Sequence, residues 1–373
     1  MREFIDGTEA VARGALKAGC NFFAGYPITP ATGILLHMVR ELPKVGGIAI
    51  QAEDEIAAMG FCIGAALTGA RVMTATSGPG ISLYSEQIGA AIMCEVPLVI
   101  VDCQRMGPAT GGATTVAQGD VQFLRWGTSG GYPVIVLAPT DIASIYTLTQ
   151  KAFDLAERFR LPVFLAVDKE LVLTSATVAA DALVTVPVRE RETASPQADY
   201  RPYSYEPPDA VHPLTPYGGA HIQHITASSH NEQGMLVKDP GIVGRLNRHL
   251  EAKVDAHLDE IAMVAADLQP GATTLLLSYG VSARSAIEAA RIARERGAAV
   301  SMLTVHSLWP VPEAQICQAL AGVERVIVPE LNLGQYRREI ERLAADGQEV
   351  VGVNRVDGEL ITPQEILAKA GLA

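Results

Sequence analysis

From Asn21 to Asp168, short apolar runs alternate with helical patterns, and no other feature of this sequence constrains its fold as tightly. The runs NFFAGYP, GIAI, RVMTAT, PLVIVDC, YPVIVLAP and LPVFLAV read as strands, being rich in β-branched and aromatic residues and bounded by Gly, Pro or polar residues. Between them, ATGILLHMVREL places Ile34, Leu35, Met38, Val39 and Leu42 on one helical face, and similar patterns follow at 55–68, 81–93 and 142–159. Strands that are apolar on both faces and separated by helices imply a parallel sheet covered on each side. From about 176 to 240 the pattern fails. Pro-, Tyr- and His-containing sequence such as RPYSYEPPDAVHPLTPYGG is expected there as a long ordered arm or lid. A helical linker over 241–269 follows. TTLLLSYG, AVSMLTV, RVIVPE and EVVGVN, with helices between them, then mark a smaller α/β domain over 270–373. The expected organisation is a first domain over 1–240 that includes the arm at 176–240, then the linker, then the second domain.

With 373 residues, 49% of them apolar, the chain is long enough to bury two cores. Its opening, MREFIDGTEAVARGALKAG, is a polar-apolar helical pattern without the features of a secretory leader, and no apolar run reaches membrane-spanning length. A formal net charge of −12 with no basic run argues against nucleic acid as a partner. The five cysteines are scattered without a Cys-x-x-Cys pair, so they read as thiols in a reducing cytoplasm rather than as ligands of a metal or iron–sulfur cluster. His221-x-x-His224 has no third ligand at helical spacing, so no metal site is expected in the histidine-bearing arm.

Four clusters carry chemistry. Tyr26-Pro27-Ile28-Thr29-Pro30 ends the first strand of the alternation; Pro30 suits the first helical position and Thr29 the N-cap, which reads either as an anion site or as a well-capped helix. Glu53-Asp54-Glu55 opens the next helix, where acids are ordinary dipole partners. The small-residue run behind Glu55 also suits a buried carboxyl of raised pKa, and the pattern alone leaves that choice open. Ser77-Gly78-Pro79-Gly80 is a tight turn whose glycines let backbone approach a ligand. It is neither a P-loop nor a dinucleotide fingerprint. Arg105 follows a buried strand and precedes a Gly-rich loop, where its fork could meet a carboxylate, although an exposed loop charge is the reading that such an Arg favours when taken alone.

Taken together, GYPITP, AEDEIAAMG, TSGPG and the loop QRMGPATGG, in that order, resemble the alpha subunits of 2-oxoacid:ferredoxin oxidoreductases, and LWPVPE and VIVPELNLGQ resemble the C-terminal signatures of the same family. The forms EDEIAAMG and PELNLGQ are most similar to the 2-oxoglutarate enzymes. The resemblance implies a parallel-sheet thiamine-diphosphate pyrimidine-binding domain followed by a transketolase C-terminal-like α/β domain. It implies that Glu55 holds N1′ of the aminopyrimidine, with Glu53 and Asp54 as competitors if the register differs. Thr29 and Arg105 would bind the substrate's carboxylate and keto oxygen, Tyr26, Pro27 and Ile28 would wall the pyrimidine pocket, and Ser77, Gly78 and Gly80 would line it.

Gly119-Asp120 is the nearest approach to the Gly-Asp-Gly segment that binds magnesium and diphosphate in such enzymes, and no Asn lies between Asn21 and Asn231. Magnesium, the diphosphate contacts and the iron–sulfur cluster are therefore expected on a beta subunit, in an assembly of two alpha–beta pairs that uses coenzyme A and ferredoxin. Closure of the histidine-bearing arm over the active site or the coenzyme A channel is the role expected of that arm. Pyruvate or a branched-chain 2-oxoacid is the alternative substrate, and a non-catalytic assembly subunit the alternative role. Lys44, Arg71, Arg125 and the arm's histidines are the candidates for a distal substrate carboxylate.

Overall fold

In a computed structural model that describes residues 2–372, fourteen strands form three sheets. They are β1 (Arg2–Ile5), β2 (Phe22–Gly25), β3 (Ile48–Gln51), β4 (Val72–Thr76), β5 (Leu98–Gln104), β6 (Ile135–Leu137), β7 (Pro162–Asp168), β8 (Ala176–Ala179), β9 (Val264–Asp267), β10 (Thr274–Ser278), β11 (Val300–Val305), β12 (Ser307–Trp309), β13 (Arg325–Glu330) and β14 (Glu349–Asn354). The six strands expected in the first block are β2 to β7, joined by parallel ladders in the order β6-β7-β5-β4-β2-β3. Every residue of β5 and β7 is buried, as strands covered on both faces require. Alternate residues feed two cores: Val99, Val101 and Cys103 pack with helices Gly7–Lys17 and Ile142–Phe159, while Leu98 and Ile100 pack with Glu55–Leu67 and Ser85–Met93. Helix Ile142–Phe159 starts where the pattern placed it, behind the capping box Asp141–Ser144.

The opening segment differs from its helical reading. β1 pairs antiparallel with β8, and the helix begins only at Gly7 behind its N-cap Asp6. Four residues of strand are too few to impose an alternation on the pattern. β9, inside the stretch expected as helical linker, pairs antiparallel with β11 at the edge of the five-stranded second sheet, β14-β13-β10-β11-β9. The linker proper is helices Pro240–Asp255 and Leu258–Ile261.

The second block docks on the first through the two C-terminal signatures. From LWPVPE comes β12, which pairs antiparallel with β6 and so completes the first sheet as its seventh strand, while Trp309 Nε1 donates to Val121 O at 3.1 Å. From VIVPELNLGQ come Asn332, which donates to Gln118 O at 2.7 Å, and Gln335, which donates to Gly119 O at 2.7 Å. Gln118 Oε1 in turn accepts from Ser282 Oγ at 2.8 Å and Leu331 N at 3.0 Å, and Asp168 accepts from Val281 N. A side chain at Gly280 would crowd Asp168 and the Gln118 amide, and its φ of +56° is itself a glycine conformation. The loop that follows Arg105 is thus held between the two domains.

The arm is ordered without regular structure over most of its length. Tyr203 and Tyr205 are buried with Leu246 and Leu250 in a small core of their own. Arg160 donates to the carbonyls of Glu95, Pro202 and His212, and Arg191 to those of Ala66 and Ala70 while forking onto Glu157. Glu95, Lys253 and His249 form a fully buried cluster. Burial alone would push the Glu95 carboxyl up, but Lys253 and His249 beside it hold it well below the usual range. Glu95 precedes β5, Arg160 precedes β7 and Ala66–Ala70 precede β4, so the arm runs along the amino edge of the sheet. It does not close over the carboxyl edge of its own chain, so of the two closures expected from sequence the one over this chain's own active site is not formed. Orphan carbonyls at helix carboxyl ends, which lie at the amino edge, are the acceptors that hold it there.

Candidate active site

Four neighbouring strands, β3, β2, β4 and β5, deliver the four sequence clusters to one edge. Asp54 is the N-cap of helix Glu55–Leu67, its carboxylate accepting from Ala57 N at 2.7 Å, and this geometry selects among the three acids. Glu53 and Asp54 are exposed, whereas Glu55, at the first helical position, turns inward and is 7% exposed. A Cβ placed on Gly80 would collide with the Thr76 hydroxyl and stand 3.1 Å from Glu55 Oε1. Glycine at 80 therefore keeps the turn closed against the Glu55 carboxyl. The Thr76 and Ser77 hydroxyls nearby are buried without a hydrogen-bond partner.

Arg105 is 5% exposed, so it is not a surface charge. Its Nη1 donates to Thr29 O at 2.6 Å and its Nη2 to Thr110 O at 3.0 Å, which staples the loop after β2 to the loop after β5. A Cβ on Gly78 would lie 3.7 Å from Arg105 Cγ, so the Ser77–Gly80 turn touches Arg105 at one end and Glu55 at the other. Two N–H donors of Arg105 are committed to carbonyls; the buried Nε–H is unpartnered, and donor capacity remains for a planar anion.

Thr29 is placed differently from its N-cap reading. The helix begins at Thr32 with Ala31 as N-cap and no side-chain cap bond. An N-cap carbonyl accepts the first bond of its helix, but the Thr29 carbonyl is taken by Arg105. The Thr29 side chain is exposed beside Tyr26, with Pro27 and Ile28 partly buried between them. The structure thus brings Thr29, Ser77, Gly78, Gly80, Glu55 and Arg105 to one edge, with Tyr26, Pro27 and Ile28 as the loop that enters it. Lys44 pairs with Glu41, Arg71 donates to the carbonyls of Ala18 and Arg189, and Arg125 donates to Gly131 O and Tyr132 O, so the three basic candidates for a distal carboxylate are engaged elsewhere. His221 and His224 sit against the carbonyls of Ser195 and Gly234.

Sequence reading missed two carboxyls behind this site and met a third, Asp120, only as part of an incomplete Gly-Asp-Gly segment. Asp102 and Asp168 are fully buried at the ends of β5 and β7, and Asp120 follows the Arg105 loop. The signal was an acid inside or directly after an apolar strand run, as in PLVIVDC and LPVFLAVD. Four of the five cysteines are buried, and burial pushes Cys20 and Cys62 up to about 12, so they stay thiols. Among the described residues no helix is long and apolar enough to cross a membrane.

The class follows from the fold. A split-gene transketolase superposes over 98% of this chain and 97% of its own with a TM-score of 0.57 at 13% identity, so the architecture is that of the transketolase-like proteins. The family model for pyruvate flavodoxin/ferredoxin oxidoreductase, thiamine diphosphate-binding, matches residues 13–242, and that for pyruvate:ferredoxin oxidoreductase core domain II matches 272–366. The chain belongs to the 2-oxoacid:ferredoxin oxidoreductase family. It is 40% identical to the 2-oxoglutarate synthase subunit KorA of Methanothermobacter thermautotrophicus over 98% of this chain and 96% of that one. It is 35% identical to the ketoisovalerate oxidoreductase subunit VorB of the same organism, over 98% and 96%. The 2-oxoglutarate:ferredoxin oxidoreductase of Magnetococcus marinus, solved with 2-oxoglutarate, coenzyme A and succinyl-CoA bound, superposes over 99% of this chain with a TM-score of 0.93 at 30% identity. This chain spans 65% of the length of that one.

Proposed function

We propose that this chain is the alpha-type subunit of a 2-oxoglutarate:ferredoxin oxidoreductase, which converts 2-oxoglutarate and coenzyme A to succinyl-CoA and carbon dioxide and passes two electrons to ferredoxin. The observation that carries the substrate is the ordering of relatives. Four 2-oxoglutarate synthase subunits are 38–40% identical over 98% of the chain, against 34–35% for two ketoisovalerate subunits over the same span. Pyruvate or a branched-chain acid is the competing substrate.

Thiamine diphosphate, when bound, supplies the carbanion chemistry that decarboxylation of a 2-oxoacid requires. The residues present fit one half of it. Glu55 offers a buried carboxyl to the aminopyrimidine N1′, Gly80 leaves the space a side chain would fill, and Ser77 holds a buried unpartnered hydroxyl. Arg105 offers its uncommitted donors to the substrate's 1-carboxylate, and the Thr29 loop, stapled to it, lies alongside the keto oxygen. The diphosphate, magnesium and the iron–sulfur cluster belong to a partner subunit, and the assembly is two alpha–beta pairs working in the cytoplasm. Calorimetry tests this division: the isolated chain should bind thiamine diphosphate weakly or not at all with or without magnesium, whereas tight magnesium-dependent binding to it alone would refute the reading.

The surface next to Glu55 supports a partner there. Ile56, Phe61 and Leu83 are exposed, edge strand β3 exposes Ile48, and Gly60 and Gly64 leave the outer face of helix Glu55–Leu67 flat. Apolar patches of this kind on otherwise acidic chains mark interfaces. Phe61→Asp should leave the chain folded, because Phe61 is not in its core, yet abolish co-purification with the partner, an effect of about 2 kcal/mol or more at an aromatic hot spot. Unchanged assembly in size-exclusion chromatography would remove this face from the interface.

A further inference from the structure

The second domain touches the loop that follows Arg105 at a point the proposed chemistry does not use. The turn after β14, Arg355–Ile361, lies against the base of that loop, and Gly358 makes the contact. A Cβ placed on Gly358 would collide with Thr115 Cγ2 and stand 3.1 Å from Met106 Cε, and its φ of +85° is one that side chains rarely adopt. The turn has little room to withdraw. Arg355 N donates to Glu330 O at 3.3 Å, and the Arg355 guanidinium forks onto Asp357 at 3.0 and 2.7 Å and reaches Glu365 at 3.0 Å. Asp357 also accepts from Glu359 N at 3.2 Å, and Ile361 is buried at the end of the turn.

Thr115 is boxed in from the other side as well. A Cβ on Gly112 would stand 2.7 Å from Thr115 Cβ, so the threonine fills the space between two glycines, one from each domain. The same residues close the base of the loop through backbone bonds: Met106 N donates to Thr115 O at 3.0 Å, Gly112 N to Met106 O at 2.9 Å and Thr115 N to Gly112 O at 3.0 Å. Beyond that base, Gly107 to Gly111 are exposed, and the Thr110 carbonyl accepts from Arg105 Nη2 at 3.0 Å. The tip therefore takes its position from the base. A displacement at Thr115 reaches the guanidinium by two routes, through Met106, the chain neighbour of Arg105, and through Thr110. Close-packed contacts transmit strain in this way.

We propose that Gly358 is a positioning residue for substrate binding: lacking a side chain, it lets the second domain seat Thr115 and so sets where Arg105 presents its donors to the substrate's carboxylate. The inference rests on reading Arg105 as that clamp. Glu55 lies off this route, since it meets the opposite end of the Ser77–Gly80 turn. The bond from Arg105 Nη1 to Thr29 O also holds the Tyr26–Thr29 loop without using Thr110. Disturbing Gly358 thus weakens the grip on the 2-oxoacid and spares activation of the cofactor.

The test uses the assembled complex with thiamine diphosphate and measures kcat, KM for 2-oxoglutarate and hydrogen–deuterium exchange at C2 of the cofactor in the parent, Gly358→Ala, Thr115→Ser and the double variant. Gly358→Ala should lower kcat/KM by about tenfold to a hundredfold, the effect of a displacement on the order of 1 Å at a positioning group. Most of that loss should lie in KM, with C2 exchange at the parent's level. Thr115→Ser removes the methyl group that meets Gly358 and should stay within about twofold of the parent, the usual range away from buried features. Added to Gly358→Ala, it should recover most of the loss. A purely structural role would lower kcat and C2 exchange together as active enzyme disappears, leave KM in place, and gain nothing from the serine. Thr115→Ile, β-branched like threonine but larger, presses on the same contact from the loop's side without a strained backbone and should reproduce the rise in KM; it decides alone if Gly358→Ala fails to assemble. A Gly358→Ala complex with the parent's KM, C2 exchange that falls along with turnover, or a double variant no better than Gly358→Ala overturns the inference. A parent complex that turns over no 2-oxoacid overturns the functional reading along with it, whereas an active parent and an unchanged Gly358→Ala KM overturn only the inference.

Discussion

Glu55→Gln in the assembled enzyme is expected to lower kcat by roughly 10²–10⁴-fold, the usual worth of a positioned acid–base group. The substitution is close to isosteric, and Asp54 rather than Glu55 caps the helix, so folding and assembly should survive. What is lost is a carboxyl that can hold a proton against a ring nitrogen; an amide in the same place donates a hydrogen bond but cannot exchange that proton. Hydrogen–deuterium exchange at C2 of the bound cofactor, which needs no substrate, should collapse together with turnover. Glu53→Gln and Asp54→Asn alter exposed side chains and should leave that exchange near the parent's. A dead Glu53→Gln beside an active Glu55→Gln would show that the inward-facing carboxyl is not the working one.

Arg105→Lys is expected to lower kcat/KM for the 2-oxoacid by about tenfold to a hundredfold, or roughly 1.5–3 kcal/mol, the worth of a charge-assisted hydrogen bond. Charge is retained, but one ammonium cannot hold the carbonyls of both Thr29 and Thr110 and still present a flat pair of donors. Two roles are thus joined in this residue, and exchange at the cofactor carbon separates them. A clamp on the substrate carboxylate leaves C2 exchange normal, because no substrate is present in that experiment. A role confined to stapling the loops would lower C2 exchange as well, because the Tyr26–Thr29 loop would come loose from the pocket it enters. A kcat/KM equal to the parent's would remove Arg105 from the substrate site.

Six of the seven strands of the first sheet were legible, the central ones because two-sided burial writes continuous apolar runs. Less legible were elements whose partners lie far away in sequence. β12 is three residues long, and only its pairing with β6 makes it a strand. The resemblance singled out Glu55 with Glu53 and Asp54 as competitors, and what sequence could not show is the N-cap bond of Asp54, which leaves Glu53 and Asp54 exposed and turns Glu55 inward. Thr29 was misread for a related reason: its carbonyl has two possible suitors, the first helical N–H and Arg105, which is 76 positions away, and sequence reveals only the nearer. The edge taken by the arm was likewise not written locally, since Arg160 and Arg191 reach carbonyls on distant helix ends. Asp102 and Asp168 were visible as acids at the ends of apolar runs, but their convergence behind Arg105 depends on strand register and on the order β7-β5-β4.

The central claim is that this chain completes an enzyme for 2-oxoglutarate that neither it nor its partner forms alone. Coenzyme-A-dependent viologen reduction by the co-purified complex, supplied in turn with 2-oxoglutarate, pyruvate and 2-oxoisovalerate, tests that claim most directly. The account predicts no reduction by the isolated chain, and reduction by the complex with its highest kcat/KM for 2-oxoglutarate. Equal or better use of pyruvate or 2-oxoisovalerate would contradict the substrate assignment, and a thiamine-diphosphate-loaded complex that reduces nothing with any of the three would contradict the account as a whole.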